Sequence, residues 1–135
     1  MSEVKLPRTL INSMLGHAQH SPEIEVCGLI ARAPTGVFQL YPVENVATES
    51  DHLFRMDPGG QVDAMRRMRE AGEELFAIYH SHPHAPAEPS QRDLAEAAYP
   101  EAVYLIISLN TKGVLELQGF RLRQGAVERV DLTVE

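Results

Sequence analysis

The sequence is poor in residues that several common classes of protein require. It has no tryptophan and a single cysteine, Cys27, so no disulfide can form within the chain. Acidic residues outnumber basic ones by 19 to 12, and the resulting charge of −7 argues against nucleic acid or an anionic membrane as partner. No uninterrupted apolar run approaches the roughly 20 residues that span a bilayer, and the N-terminus lacks the layout of a signal peptide. We therefore expect a cytoplasmic protein that binds neither nucleic acid nor membrane.

Two segments have the pattern of amphipathic helices. Apolar residues recur at helical spacing from Pro7 until Pro22 ends the segment. Asp57 followed by Pro58 is typical of an N-cap with proline at the first helical position, and it predicts a second helix over 58–71. The stripe expected to bury this second helix consists of Val62, Met65 and Met68.

Apolar, β-prone runs predict the strands of a sheet. The runs VCGLIARA and VFQLYPV flank Pro34, Thr35 and Gly36 and indicate a hairpin. A loop then leads into a short edge strand at His52 to Met56, and Ser90 to Ala98 has helical composition. The remaining predicted strands are 74–82, 103–109, 114–122 and about 127–134. Together these elements predict one α/β domain over residues 1–135, with helices packed on a mixed sheet.

The stretch YHSHPHAPAEPSQRD, residues 79–93, follows a buried strand and is rich in metal-ligating side chains. Residues i and i+2 of a strand share a face about 6.5 to 7 Å apart, so His80 and His82 can converge on one ion. A helix end beside the strand end would bring Asp93 to the same ion. Two imidazoles and one carboxylate leave a fourth tetrahedral position for water, as catalytic zinc sites do.

These residues also have plainer interpretations. His-x-His pairs are common in surface loops, and Ser90 with Asp93 three positions later is the pattern of a capping box. Ser90 can cap a helix and still point its hydroxyl at a neighbouring site, whereas for Asp93 capping and metal binding compete. We expect Ser81 to face away from the metal and His84 to be a solvated loop residue; His17, His20 and His52 are expected at the surface.

Hydrolysis at such a site needs a carboxylate beside the metal but not bound to it. Glu25 immediately precedes the apolar strand and can point across the sheet into a cleft. The alternative is an ordinary exposed glutamate, like Glu23.

The ordered residues resemble a known motif. Glu25, the CGLI run, His80-Ser81-His82, then Ser90 and Asp93 at their spacing are similar to the JAMM motif of the MPN-plus metalloprotease family. The segments EVCGLI, ENVA, FRMDP, EAGEELFAIYHSHPH and AYPEAVYLIISL resemble the short bacterial branch of that family. The similarity covers nearly the whole chain.

The resemblance implies a fold similar to cytidine deaminases and zinc (Zn2+) held by His80, His82 and Asp93. It also implies Glu25 as general acid and base, with Ser90 stabilising the oxyanion. Members of the family cleave amide bonds after the glycine-ended tail of ubiquitin-like proteins. The short chain leaves no room for insertions that clamp ubiquitin chains, which favours a small sulfur-carrier protein with a Gly-Gly tail. We expect that tail to pair with the His52 to Met56 edge segment.

Other classes of protein fit less well. A non-catalytic MPN scaffold that binds a ubiquitin-like partner typically lacks the metal ligands, all of which are present here. A nucleobase deaminase needs H-x-E with P-C-x-x-C, and a thermolysin-like protease needs H-E-x-x-H. Neither pattern occurs in the sequence. The sequence leaves open the carrier, the leaving group and the oligomeric state.

Overall fold

A computed structural model describes residues 3–135, so the first two residues of the predicted 1–135 domain lie outside it. Over that range the strands form a seven-stranded mixed sheet in the order β1-β7-β6-β5-β4-β2-β3, which confirms the predicted α/β class. The β1·β7 and β4·β5 pairs are parallel and the other neighbours are antiparallel. The elements are β1 (Glu3–Leu6), α1 (Arg8–His20), β2 (Cys27–Arg32), β3 (Phe38–Val43), α2 (Pro58–Glu70), β4 (Glu74–His82), α3 (Gln91–Glu96), β5 (Val103–Ser108), β6 (Glu116–Arg123) and β7 (Ala126–Val134).

The sheet separates two hydrophobic cores. On one face, Met14 and Ala18 of α1 pack in a cluster that includes Tyr79 of β4. On the other face, Met68 of α2 packs in a cluster with Ile78 of β4. Because successive strand residues point to opposite faces, β4 contributes to both cores. Within residues 3–135, no helix is long and apolar enough to cross a membrane.

The helices confirm two predictions and correct two details. α1 and α2 lie where the sequence places them, and the Asp57 side chain caps α2 by accepting a hydrogen bond from Gly60 N at 3.0 Å. The predicted buried stripe of α2 is wrong at Val62, which is 68% exposed. The buried residues are Ala64 and Met68, an i, i+4 pair that shares one helix face, and Met65 is partly buried beside them. The third helix is shorter than predicted, at six residues.

Two strand predictions also need correction. The β1 strand was not predicted, because only Val4 and Leu6 of its four residues are apolar and buried. Pairing with β7, at the other end of the described chain, makes it a strand. Conversely, the edge strand predicted over His52 to Met56 does not form. That segment belongs to a loop that makes a single bridge to Asn45, and β3 is the edge strand on this side of the sheet.

Close approach of three strands makes Gly28 sensitive to substitution. A Cβ atom there would lie 2.5 Å from the Tyr79 ring and 2.7 Å from the Tyr41 carbonyl oxygen. We therefore expect Gly28→Ala to lower the free energy of unfolding by about 1 to 3 kcal/mol, the usual cost of overpacking. Gly16→Ala is the control, since its Cβ would meet nothing within 4 Å and alanine favours the helix. Equal denaturation midpoints for the two variants would contradict this packing account.

Candidate metal centre

The strand β4 carries two histidines to its C-terminal end. His80 and His82 are two residues apart and therefore lie on the same face of the sheet, which is also the face of Ile78. The β2·β4 register pairs Cys27 with His80, so Glu25, two residues before Cys27, falls beside His82. All three side chains are buried, with exposed fractions of 4% for Glu25, 2% for His80 and 3% for His82.

Three ligand atoms form a small triangle at this end of the sheet. The Nε2 atoms of His80 and His82 lie 3.1 Å apart, and Asp93 Oδ2 lies 3.1 Å from the first and 3.3 Å from the second. Metal–ligand bonds of about 2.0 to 2.1 Å in a tetrahedron place neighbouring ligand atoms about 3.3 Å apart. The spacing of these three atoms therefore matches one face of a tetrahedral metal site.

Hydrogen-bond polarity also favours a cation at this point. His82 Nδ1 lies 2.8 Å from the Pro86 carbonyl oxygen, which only accepts, so Nδ1 carries the proton. In the neutral imidazole, Nε2 of His82 then presents a lone pair toward Asp93, whose carboxylate also only accepts. Acceptors that converge in a buried place need a positive partner. The residues present therefore fit a divalent metal ion.

Glu25 lies close to this triangle but outside it. One of its carboxylate oxygens is within 4.8 Å of a nitrogen of both His80 and His82. These three residues alone could form a second candidate set of ligands, but the contacts of 3.1 to 3.3 Å belong to Asp93 and the histidines. The short triangle fits direct coordination, and the longer spacing of Glu25 fits a neighbour of the metal.

The carboxyls of Glu25 and Asp93 have different electrostatic environments. Burial raises the pKa of Glu25 to about 7, against the opposing effect of His82. Burial also acts to raise the pKa of Asp93. When the His80 and His82 rings of the metal-free protein carry a proton on Nε2, however, they donate hydrogen bonds that outweigh burial and hold that pKa below its ordinary value. Asp93 is thus ionised at neutral pH, whereas Glu25 can bind or release a proton there.

Asp93 caps α3 and faces the histidines at the same time. Its Oδ2 atom accepts a hydrogen bond from Ser90 N at 2.9 Å, while Asp93 N donates to Ser90 Oγ at 3.0 Å. The competition expected between capping and metal binding is therefore absent, because one carboxylate oxygen serves both contacts. Ser90 Oγ accepts in this capping box and keeps its own hydrogen for donation.

The other polar residues of the motif lie elsewhere. The prediction that Ser81 faces away is confirmed, since its hydroxyl accepts a hydrogen bond from Val26 N at 2.9 Å. His84 is exposed, as expected. The prediction that His17 is a surface residue is wrong, because it is half-buried and its Nδ1 lies 2.7 Å from the Tyr79 hydroxyl.

Two residues beside the site were missed from the sequence. Phe54 stacks on the His80 ring, with centroids 4.4 Å apart and planes 24° from parallel. Asn45 donates a hydrogen bond to the backbone carbonyl of Glu25 at 2.8 Å. Both fall in segments quoted above only for their resemblance, ENVA and FRMDP. An asparagine and a phenylalanine in a loop carry no local signal of contact with a metal centre.

Comparison with solved structures agrees with this fold. The solution structure of a Desulfitobacterium hafniense protein superposes with a TM-score of 0.83 at 32% identity, covering 97% of this chain and 92% of that one. A JAB1/MPN domain protein from Archaeoglobus fulgidus shares the fold, with a TM-score of 0.58 at 18% identity and full coverage of both chains. The chain thus has the fold of a JAB1/MPN domain.

Sequence comparison identifies the family. Residues 7–122 match the prokaryotic homologs of the JAB domain, and the chain belongs to that family. The CysO-cysteine peptidase of Mycobacterium tuberculosis is 34% identical over 128 residues, which are 93% of this chain and 86% of the relative. The desampylase of Haloferax volcanii is 34% identical over 113 residues, 79% of this chain and 81% of the relative. The predicted resemblance is confirmed, and the protein is a hydrolase of the peptidase type.

The raised pKa of Glu25 predicts that Glu25→Gln stabilises the metal-free protein at alkaline pH. Protonated Glu25 favours the folded state, and this contribution is lost as the pH rises through the folded pKa of about 7. The amide carries no charge, so the variant's gain in unfolding free energy should grow between about pH 5 and pH 8, toward something on the order of 3 kcal/mol.

Chemical denaturation with chelator present, at several pH values, measures this difference. Glu23→Gln is the matched control, because Glu23 is exposed and lies two residues away. If the difference in unfolding free energy between wild type and Glu25→Gln stays constant with pH, then ionised Glu25 does not destabilise the folded state.

Proposed function

We propose that the protein is a zinc-dependent peptidase that cleaves the amide bond after the Gly-Gly tail of a small ubiquitin-like or sulfur-carrier protein. The observation that carries this proposal is the triangle of His80 Nε2, His82 Nε2 and Asp93 Oδ2, with Glu25 beside it. The names of three relatives support the substrate class: CysO-cysteine peptidase, desampylase, and the probable TtuB-protein conjugate cleaving protease of Thermus thermophilus.

In this proposal His80, His82 and Asp93 hold the metal. Zinc prefers nitrogen and oxygen ligands in this number, and three protein ligands leave a fourth position open. When bound, zinc supplies Lewis acidity that polarises a carbonyl group and acidifies water. The hydrogen bond from His82 Nδ1 to Pro86 O, at 2.8 Å, fixes the ring so that Nε2 faces the site.

Glu25 is the proposed general acid and base. Its carboxyl is buried and has a pKa of about 7, so both protonation states are accessible near neutral pH. It accepts a proton from the attacking water and passes it to the departing amine. A carboxylate that ligated the metal would be less able to do this, which is why the position of Glu25 outside the triangle matters.

Ser90 is the proposed donor to the oxyanion that forms at the scissile carbonyl. The capping contacts with Asp93, at 2.9 and 3.0 Å, hold Ser90 next to a proposed ligand. Its hydroxyl hydrogen is not used by the capping box, where Oγ is the acceptor. A donor fixed in advance at the site of developing charge lowers the barrier without reorganising.

Recessed ligands support a glycine-ended substrate. His80 and His82 are 2% and 3% exposed, so a scissile carbonyl must enter a confined space to reach them. Glycine residues lack the side chains that would collide with the walls of such a space. The tail pairing expected along His52 to Met56 loses its basis, because the Leu53 carbonyl and the Arg55 N–H are already bonded to Asn45. In this proposal, selectivity for glycine therefore depends on the narrow space around the two histidines.

The environment of Glu25 argues against the alternative of a non-catalytic scaffold. A scaffold has no use for a buried acid with a pKa of about 7 beside converging acceptors, because such a group destabilises the fold. The cytoplasmic location expected from the sequence stays a prediction.

The proposed roles predict that some variants lose zinc, whereas others keep zinc and lose turnover. Alanine at a ligand position removes a donor atom, so each such variant should lose the zinc found in the wild type. Glu25→Gln should keep one zinc per chain and lose most of its turnover, because an amide cannot carry the proton. Ser90→Ala should keep zinc and lose about 10²- to 10³-fold in kcat. The ligand variants are His80→Ala, His82→Ala and Asp93→Ala.

Elemental analysis and turnover on a Gly-Gly-extended carrier, with and without chelator, measure both quantities. His84→Ala is the control, since His84 is exposed and adjacent in sequence; it should keep zinc and activity. A full equivalent of zinc in His82→Ala or Asp93→Ala would overturn the ligand assignment. Near-normal turnover of Glu25→Gln would overturn the role of the base.

The recessed site predicts strong selectivity for glycine before the scissile bond. Carriers ending in Gly-Gly-X should be cleaved, while Ala-Gly-X and Gly-Ala-X should react at least about tenfold more slowly, because an added methyl group must displace the walls of a confined site. Matched carriers assayed with zinc present give the comparison. Equal rates on all three carriers would refute the narrow-site account and leave the metal chemistry intact.

A further inference from the structure

Asn45 is the centre of the loop between β3 and α2, here called the 44–57 loop. Its Nδ2 donates to the carbonyl oxygens of Glu25 at 2.8 Å and Leu53 at 2.9 Å. Its Oδ1 accepts from the backbone N–H groups of Ala47 at 3.0 Å and Arg55 at 2.9 Å. One side chain therefore ties together both limbs of the loop and the backbone of the proposed base.

The polarity of these partners requires an asparagine. Two backbone carbonyls demand donors and two backbone N–H groups demand acceptors, so the amide has one orientation that satisfies all of them. Aspartate at this position would keep the two acceptor contacts but place a carboxylate oxygen against two carbonyl oxygens. Alanine would leave all four backbone groups without this partner.

The 44–57 loop is also what holds Glu25 itself. Glu25 precedes β2, which begins at Cys27, so regular strand pairing does not fix its backbone. Its carbonyl is bonded by Asn45, and its N–H donates to the Ser50 carbonyl of the same loop at 2.7 Å. The loop further carries Phe54, which stacks on His80. The 44–57 loop therefore contacts both Glu25, the proposed base, and His80, a proposed metal ligand.

We infer that Asn45 is a positioning residue, which holds the Glu25 backbone so that its carboxylate stands beside the metal site. This inference rests on the proposed function, in which Glu25 moves the proton. A displacement of about 1 Å at a proton-transfer group can cost 10²-fold in rate. Asn45 bonds to the backbone of Glu25 and to none of the proposed metal ligands, so we expect the main effect of its loss in kcat.

Kinetics of Asn45→Asp and Asn45→Ala test the inference. We expect kcat to fall about 10- to 100-fold, with KM changed less than about threefold and one zinc per chain retained. Tyr41→Phe is the matched control, since it removes one part-buried hydrogen bond, of 2.7 Å to Glu73, at the far end of β4. It should lower the denaturation midpoint and leave kcat unchanged.

A double-mutant cycle separates positioning from general weakening. If Asn45 acts through Glu25, adding Asn45→Ala to Glu25→Gln should cost no further turnover. Additive losses, or unchanged kcat in both Asn45→Asp and Asn45→Ala, would overturn the inference while leaving the role of Glu25 intact.

Amide hydrogen exchange decides the question without turnover. The Glu25 N–H donates to Ser50 and not to Asn45, so its faster exchange in Asn45→Ala, but not in Tyr41→Phe, would show that Asn45 secures the backbone of Glu25. If the Glu25 amide of Asn45→Ala exchanges at the wild-type rate, Asn45 does not fix the backbone of Glu25. A wild-type protein without hydrolytic activity would refute the proposed function, and exchange would still decide whether Asn45 holds Glu25.

Discussion

Two imidazole nitrogens and a carboxylate oxygen converge at the C-terminal end of β4, and this contact is the constraint on which the site depends. At mutual distances of 3.1 to 3.3 Å, the Asp93 carboxylate oxygen and the two Nε2 atoms need a positive charge among them, either a metal ion or a proton. Each of the three side chains also has a second contact, outside the triangle, that fixes its orientation. Pro86 holds His82, Ser90 holds Asp93, and Phe54 stacks on His80.

Burial sets the chemistry of the centre. A carboxyl that is only 4% exposed loses hydration when ionised, so the pKa of Glu25 rises to about 7, the range in which a group can both accept and return a proton. The same burial would also raise the pKa of Asp93, but two histidine contacts reverse it. Two carboxyls at one site thus acquire different protonation states from their surroundings, and this difference is consistent with the different roles proposed for them.

The sheet provides the rigidity that the site needs. β4 lies between β2 and β5, and its residues from Ala77 to His82 are buried on both faces. Ser81 adds a hydrogen bond between this strand and the residue next to Glu25, since its hydroxyl accepts from Val26 N. The residue between the two histidines therefore holds the segment that lies between Glu25 and β2.

Local sequence patterns were enough for most of the framework. The resemblance of the ordered Glu25, His80, His82, Ser90 and Asp93 to a family motif predicted the site. Apolar, β-prone runs predicted β2 to β7, and the Asp57-Pro58 pair predicted the start of α2. These succeed because strand parity and helix capping act over a few residues. Val62 was misjudged because apolar character alone does not tell which helix face meets the sheet, and β1 was missed because its four residues pair with a strand far away in sequence.

The sequence by itself determined which residue types stand at the end of β4 and at the start of α3, and so which metal chemistry is available. Only the tertiary structure decided how they meet. One oxygen of Asp93 both caps its helix and faces the histidines, Glu25 stays outside the triangle, and Asn45 reaches from a loop to the Glu25 backbone. His80 and Asp93 are 13 positions apart in sequence, and Asn45 and Glu25 are 20 apart. The distances between them follow from the packing of strands and loops rather than from any local propensity.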